Sequence, residues 1–481
     1  MKTLKLEFRE FFKIGFIYSL VKYSIMGIGV VKSFYIADFL GATLLGSYAV
    51  VMLIVEYLNY SNLGVFAAMN RDVAIFLEDN SKKNRVKDLL DVSLSFALFP
   101  ILILGFIFFG LNHLNIYFLP EEFYKYSLMI LALVAVYQYK IFLLRYLRLY
   151  GRYYVVASLE FSAQSISLIG IILFIEIYSI DAVLWSVLVS NIFFILCGFI
   201  FVRDYSFKID FHLIKYMISV GSPMLLYSVI LFVLSSADRI VITDSFENRS
   251  SLGLYQFGSI ASQGLFIAFN SVTFLFYPRW IKFLQKKDEE DDPYQSIKGQ
   301  TEIFEFLLGF LTVSGIIFIT PFINYFLPQY EVSILIAQLL MIANMFNGMT
   351  FINSTFLISN NYQMKLVPII FITVAVAFML NYSFIWLGYG LFGIAFSTIL
   401  SFTLYSFSVC YLSLKYSDSL NLKNFFISFY RLILFTPFAI FILYENYNNL
   451  LILLCYVLIY FSSFYVLIKK LISKKNENQY F

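Results

Sequence analysis

The sequence predicts an all-α, polytopic membrane protein with about 14 transmembrane helices. Hydrophobic residues make up 60% of the 481 residues and charged residues only 13%. Soluble domains average about 25% charged residues, so this chain belongs in a membrane. Apolar segments long enough to cross a hydrocarbon core of ~30 Å recur along its length. They are continuous rather than alternating, which favours helices over a β-barrel.

Fourteen apolar segments account for most of the chain. In order they are residues 14–37, 46–69, 91–112, 123–144, 155–177, 182–202, 216–241, 252–277, 301–325, 331–357, 366–387, 390–413, 426–444 and 449–468. An even number of crossings places both termini on the same side of the membrane.

The distribution of basic residues predicts which side that is. Of the 34 Lys and Arg residues, 27 fall in the N-terminal lead-in, the alternate loops and the C-terminal tail, and Arg249 alone falls in the opposite loops. Basic residues accumulate on the cytoplasmic side, so both termini are expected there. The basic, amphipathic lead-in lacks a signal-peptide cleavage site and is expected to remain in the protein.

An internal repeat relates segments 1–6 to segments 7–12. The matched residues lie 206–208 positions apart: Gly15 with Gly221, Gly46 with Gly253, Leu119 with Leu327, Pro120 with Pro328 and Tyr154 with Tyr362. Because six is even, the two halves have the same orientation in the membrane, which is typical of alternating-access transporters.

The repeat predicts three parts of the chain. Residues 1–204 form an N-terminal six-helix lobe and residues 205–415 a C-terminal six-helix lobe. Residues 416–481 add two transmembrane helices and a cytoplasmic tail. The loops are too short for a soluble catalytic domain.

Several stretches resemble one family of transporters. They read YSLVKYS at 18–24, IADFLGATLLGSYAVV at 36–51, ADRIVI at 237–242 and LGLYQFGSIASQ at 252–263. These stretches, with the chain length and the repeat, resemble the polysaccharide transporter family. Its members are the Wzx-type flippases of O-antigen and capsule repeat units, relatives of multidrug and toxic-compound extruders and of lipid II flippases.

The resemblance implies a function and a setting. It implies two six-helix lobes around a central cavity that opens in turn to either side of a bacterial inner membrane. The substrate would be an oligosaccharide on undecaprenyl diphosphate, with membrane lipids around it and a polysaccharide polymerase and chain-length regulator as further partners. We expect neither nucleic acid nor a cofactor, and no enzymatic activity. With three cysteines and two histidines, the chain has little material for a metal site.

Intramembrane cations favour an anionic substrate. Lys22 lies about 12 Å into the first segment by helix rise, where a cation needs a cavity or a partner. Lys140 and Arg145 line the inner end of the fourth segment. We therefore predict Lys22, Lys140 and Arg145 as a cationic cavity for a diphosphate. The alternative for Lys22 is a permanent pair with Glu56 that only stabilises the lobe.

A second group of charges lies near the predicted outer ends of helices 1 and 7. Lys32, Asp238 and Arg239 are candidates for an outer gate that closes by pairing across the lobes. Neighbouring helix residues point about 100° apart, so Asp238 and Arg239 are expected to need separate partners. The alternative is that these side chains extend to the lipid headgroups.

Acidic residues within or beside the segments are candidates for coupling to protons or sodium. They are Glu56, Glu160 and Glu302. Each also has a structural interpretation, as a partner of nearby basic side chains. Polar residues such as Asn59, Asn62 and Gln138 either contact sugars or join helices by hydrogen bonds.

Three functions compete at this stage. Translocation of a lipid-linked oligosaccharide leads, because the buried cations outnumber the buried acids. Cation-coupled multidrug efflux is the alternative within transport. A membrane polymerase or ligase of lipid-linked sugars is the third, and the short outer loops disfavour it. The sequence contains neither GxxxxGK[ST] nor HExxH, which excludes the common ATP-hydrolysis and zinc-peptidase motifs.

Overall fold

The structure, a computed structural model, describes residues 2–77, 79–113, 120–202, 206–264, 293–360, 362–417, 419–427 and 429. Helix dominates these residues, and none of them lies in a β-strand. Nine of the described helical stretches are long and apolar enough to cross a membrane. The prediction of an all-α, multi-pass membrane protein is confirmed.

The described residues form fourteen α-helices. They are α1 (Lys2–Leu58), α2 (Val65–Phe76), α3 (Lys83–Phe96), α4 (Leu98–His113), α5 (Glu121–Lys125), α6 (Ser127–Leu149), α7 (Tyr153–Phe199), α8 (Phe211–Ser245), α9 (from 249 to at least 264), α10 (Pro293–Phe326), α11 (Ser333–Ser359), α12 (Leu366–Trp386), α13 (Gly390–Tyr416) and α14 (Leu422–Ile427).

Two long helices each contain a break. α1 has left-handed backbone at Gly41 (φ 62°), and α7 has it at Ser179 (φ 50°). The breaks lie between predicted segments 1 and 2 and between segments 5 and 6. Each of these helices is therefore long enough for two crossings joined by a very tight turn. Glycine adopts this backbone readily, whereas a serine there is uncommon.

Predicted segment 2 differs from the structure. It was expected to be one helix over residues 46–69, but α1 ends at Leu58 and α2 begins at Val65. A short 3₁₀ turn, Asn59–Asn62, and left-handed backbone at Gly64 (φ 86°) separate them. The Asn62 carboxamide accepts a hydrogen bond from the Gly64 N–H (3.1 Å) and donates one to the Asn59 carbonyl (2.9 Å), which stabilises the break.

Predicted segment 7 is longer than expected. The segment was predicted over residues 216–241, but α8 spans Phe211–Ser245 and includes Pro223. The start is capped by Asp210, whose carboxylate accepts hydrogen bonds from the N–H groups of Leu213 and His212, each at 3.0 Å. The hydrogen bond from the Leu213 N–H, with that from His212, lowers the pKa of Asp210.

The chain forms two compact units. The first contains Met1–Val233 and Thr243–Gln256, and the second contains Leu234–Ile242 and Phe257–Phe481. The lobe boundaries at residues 204 and 415 stay a prediction. Segment 14 (449–468) and almost all of segment 13 (426–444) lie outside the described residues.

Candidate functional site

A cavity of about 350 Å³ lies in the first compact unit. Its walls come from the end of α1, the break that follows it, the start of α2, and the facing sides of α6 and α8. The lining residues are Glu56, Asn59, Tyr60, Asn62, Ala67, Ile141, Arg145, Met224, Leu225, Ser228 and Phe232. This volume is at the lower end of the range of roughly 300–1,000 Å³ that small-ligand pockets occupy.

Arg145 supplies the positive charge of this cavity. It lies one turn before the end of α6 and is partly buried. Among the described residues, no carboxylate forms an ion pair with its guanidinium and no acceptor takes a hydrogen bond from it. A guanidinium offers five donors in a planar fork that matches a phosphate or carboxylate. This part of the cavity is therefore suited to an anion.

Lys22 forms an ion pair with Glu160. The pair joins the first half of α1 to the first half of α7. The second carboxylate oxygen of Glu160 lies 3.7 Å from the Arg148 guanidinium on α6. Glu160 is thus an acidic partner of Lys22, and the alternative pairing of Lys22 with Glu56 stays a prediction. One carboxylate, that of Glu160, therefore contacts two cations in this cluster.

Lys140 lies close to the same cluster and is held by uncharged groups. Its ammonium donates a hydrogen bond to the Asn191 carboxamide at 2.7 Å. It also lies 5.7 Å from the ring centre of Tyr137 and 5.5 Å from that of Phe194, within cation–π range. Within the described part of the chain, the Lys140 ammonium is therefore contacted by a carboxamide and two aromatic rings rather than by a carboxylate.

The predicted gate residues are held locally in each unit. Lys32 donates a hydrogen bond to the Gln164 carboxamide at 2.8 Å in the first unit. In the second unit, Asp238 accepts a hydrogen bond from the Arg239 N–H at 2.7 Å, and the two charged groups lie 3.9 Å apart. The Asp238 carboxylate therefore contacts the backbone N–H of Arg239, and the expectation that each charge needs a separate partner stays a prediction. Pairing across the lobes stays a prediction.

The three predicted coupling carboxylates lie in different surroundings. Glu56 lines the cavity, and Glu160 is engaged with Lys22 and Arg148. Glu302 lies on α10 in the second unit and is partly exposed, whereas Glu305, one turn later, is 1% exposed. Their role in coupling stays a prediction. Among the described residues, no cluster of His, Cys, Asp and Glu could hold a metal ion.

Sequence reasoning missed the aromatic wall of the cavity. The Phe232 ring lies 4.8 Å from that of Tyr57 in an edge-to-face arrangement and 5.6 Å from that of Tyr60. Aromatic residues are too frequent in this chain for any one to stand out. The Asn62-Leu63-Gly64 sequence was the available signal, because asparagine followed closely by glycine is typical of a turn.

Comparisons with known proteins identify the fold. No family model and no curated protein sequence matches the chain. Among solved structures, the lipid II flippase MurJ in an inward closed conformation covers 96% of this chain and 100% of its own, with TM-score 0.64 and 14% identity.

Two further structures share this fold. A mutant MATE transporter from Vibrio cholerae covers 87% of this chain and 98% of its own, with TM-score 0.56 and 15% identity. A MOP superfamily transporter from Pyrococcus furiosus covers 84% and 94%, with TM-score 0.54 and 14% identity. The chain therefore has the fold of these membrane transporters.

Proposed function

We propose that this protein is a flippase that moves an undecaprenyl-diphosphate-linked oligosaccharide across the bacterial inner membrane by alternating access. The oligosaccharide would be the repeat unit of an O-antigen or a capsule. The protein would act as a transporter rather than an enzyme, with both termini in the cytoplasm.

The proposal rests on the position and chemistry of Arg145. A charge within a membrane span costs roughly 2.5–3.5 kcal/mol on insertion scales, so a cavity cation that has no ion-pair partner among the described residues indicates an anionic ligand. Arginine also binds phosphate oxygens through paired hydrogen bonds, which suits a diphosphate better than a single point charge does. The ligand would satisfy both the charge and the hydrogen bonds of the guanidinium.

The position of Arg145 supports capture from the cytoplasm. The loop that follows α6 belongs to the predicted cytoplasmic side, and Arg145 lies four residues before the end of that helix. Lys22, Arg148 and Lys140 add positive charge in the same unit, with Glu160 as a shared acid. A lipid diphosphate made on the cytoplasmic face would enter a cavity that already attracts anions.

Substitution of Arg145 tests the proposal. In a strain that depends on this gene for surface polysaccharide, Arg145→Ala should abolish most of the polysaccharide while the protein level in the membrane stays near normal. Arg145→Lys should restore more function than Arg145→Gln, because the charge is the required property.

Lys82→Ala is the matched control. It removes the same charge from a side chain that is 46% exposed and lies beyond the end of α2, so polysaccharide should persist. If Arg145→Gln functions as well as Arg145→Lys, the position needs only a polar group and the anion site is wrong.

Cation-coupled drug efflux is the second candidate, and the position of Glu56 favours it. A carboxylate on a cavity wall is the group that a cationic drug or a coupling ion would bind. Efflux predicts that Glu56→Gln abolishes export of a cationic dye from whole cells, whereas a flippase leaves dye export unchanged.

A further inference from the structure

The cavity that contains Arg145 has a second wall whose chemistry differs from that of an anion site. Tyr60 and Phe232 provide aromatic faces, and Glu56 and Asn59 provide oxygen acceptors. A diphosphate has no C–H surface to pack against an aromatic ring and no donor for these oxygens once it is ionised. A different part of the ligand must account for this wall.

Asn59 contributes an acceptor that the protein does not use. Its carboxamide oxygen is buried, and no group in the described part of the chain donates a hydrogen bond to it. Its backbone carbonyl is already engaged, since it accepts hydrogen bonds from Asn62 (2.9 Å) and from Gln138 (3.0 Å). Buried polar atoms are nearly always hydrogen-bonded, so this unused acceptor can serve a ligand donor once the Asn59 side chain rotates toward the cavity that it lines.

The aromatic pair lines the same cavity, with Phe232 on the facing helix and Tyr60 beside Asn59. Phe232 on α8 and Tyr60 in the 3₁₀ turn have ring centres 5.6 Å apart with their planes tilted by 43°. A pyranose ring has an apolar C–H face that packs against aromatic surfaces, and hydroxyl groups around its edge that donate hydrogen bonds. An aromatic face beside a carboxylate and a carboxamide matches both properties of a sugar.

We propose that Tyr60, Phe232, Asn59 and Glu56 form a subsite for the sugar attached directly to the diphosphate, next to the anion site at Arg145. Asn59 and Glu56 accept hydrogen bonds from hydroxyl or acetamido N–H groups of that sugar. This inference rests on the proposed function. It adds that the cavity recognises the first sugar of the substrate as well as the diphosphate. The cavity is large enough for the diphosphate-linked end only, so the remaining sugars lie outside it.

Binding of short-chain analogues to the full-length protein in detergent tests the inference. The probes are farnesyl diphosphate and farnesyl diphosphates that carry glucose, N-acetylglucosamine or N-acetylgalactosamine. Isothermal titration calorimetry should show tighter binding of at least one sugar-bearing probe than of farnesyl diphosphate. Phe232→Leu should weaken binding of that probe by about two- to tenfold, the usual worth of one aromatic contact, and leave farnesyl diphosphate unchanged.

Two further variants make the result specific. Asn59→Leu should reduce the preference for the sugar-bearing probe in the same way, whereas Arg145→Gln should weaken all probes. Phe351→Leu is the matched control, because Phe351 stacks on Phe304 within the second unit and should leave every affinity unchanged.

The outcomes separate the two proposals. If the wild-type protein binds all four probes equally, the sugar subsite is wrong and the anion site stands. An equal loss of all probes in Phe232→Leu indicates a structural role for that ring and also overturns the subsite. If no probe binds, the diphosphate site at Arg145 fails, and the sugar subsite fails with it.

Discussion

Gly46 and Gly253, which the internal repeat aligns, pack against each other in a reciprocal contact. A Cβ atom added at Gly46 would lie 2.0 Å from the carbonyl oxygen of Arg249, and one at Gly253 would lie 1.7 Å from that of Ala42. Ala42 and Arg249 each precede the glycine of their own helix by four residues. Two matched helices therefore meet through matched positions, and only glycine fits at either of them.

Gly253→Ala should disrupt this contact, because a methyl group cannot lie 1.7 Å from a carbonyl oxygen. We expect the helices to move apart and to expose Leu45, which is completely buried. A cysteine introduced by Leu45→Cys should then react severalfold faster with a membrane-impermeant maleimide. Gly105→Ala is the control, since nothing lies within 4 Å of the added atom there. Equal reactivity in the two backgrounds would contradict the prediction.

Glu122 and Arg249 form the best-defined ion pair of the first unit. The carboxylate accepts hydrogen bonds from the Nε (2.8 Å) and Nη2 (3.2 Å) of Arg249, and Ser47 donates to it at 3.1 Å. Glu122→Ala should lower the stability by about 3–5 kcal/mol, because it leaves a largely buried guanidinium without its partner.

Thermal unfolding of the purified protein in detergent measures this loss. The double variant Glu122→Ala/Arg249→Ala should be less destabilised than the sum of the single variants, since removing both charges leaves neither one unpaired. Asp79→Ala is the control, because the Asp79–Lys82 pair is exposed and weak. Additive effects of the two buried changes would mean that the pair contributes nothing as a pair.

Reporter fusions test the topology. Fusions after Asp204 and after Lys475 should report the cytoplasm, and one after Asn248 should report the opposite side. The reason is the concentration of 27 of the 34 basic residues on one side of the predicted spans. A cytoplasmic signal at Asn248 would overturn both the fourteen-span topology and the parallel repeat.

The membrane potential should drive transport of a diphosphate. Moving one charge through 100 mV is worth roughly 2.3 kcal/mol, and the cytoplasm is the negative side, so outward movement of an anion is favoured. In proteoliposomes, flipping should quicken as an inside-negative potassium diffusion potential grows, without a pH gradient. In this hypothesis the cations Lys22 and Arg145 would lower the cost of taking the anion out of water, but they would remain in place and add no direction.

A rate that ignores the potential and follows a proton or sodium gradient would contradict this expectation. The coupling role would then return to Glu56, Glu160 and Glu302. Conservative replacement by glutamine would identify which of them carries it, since glutamine keeps the shape and removes the titratable charge.

The contacts of the cations could be predicted only in part from the sequence. The depth of Lys22 in its helix could be predicted, because helix rise converts residue number into distance. Its partner could not, because Glu160 is 138 residues away and reaches it only through the packing of α7 on α1. The same limit applies to Glu122, which no local pattern connects to Arg249.

By itself, the sequence determined that this is an all-α membrane protein with matched segments and a basic, predicted cytoplasmic side. The length of each apolar segment and the placement of charges around it can be read from that segment alone, without knowledge of any tertiary contact. The tertiary structure decided where α1 ends, because Gly64 and Gly221 approach too closely for any Cβ and the chain turns at Asn59–Asn62. That break brings Asn59 and Tyr60 opposite Phe232 and Arg145, and a cavity assembled from separate helices exists only once those helices pack.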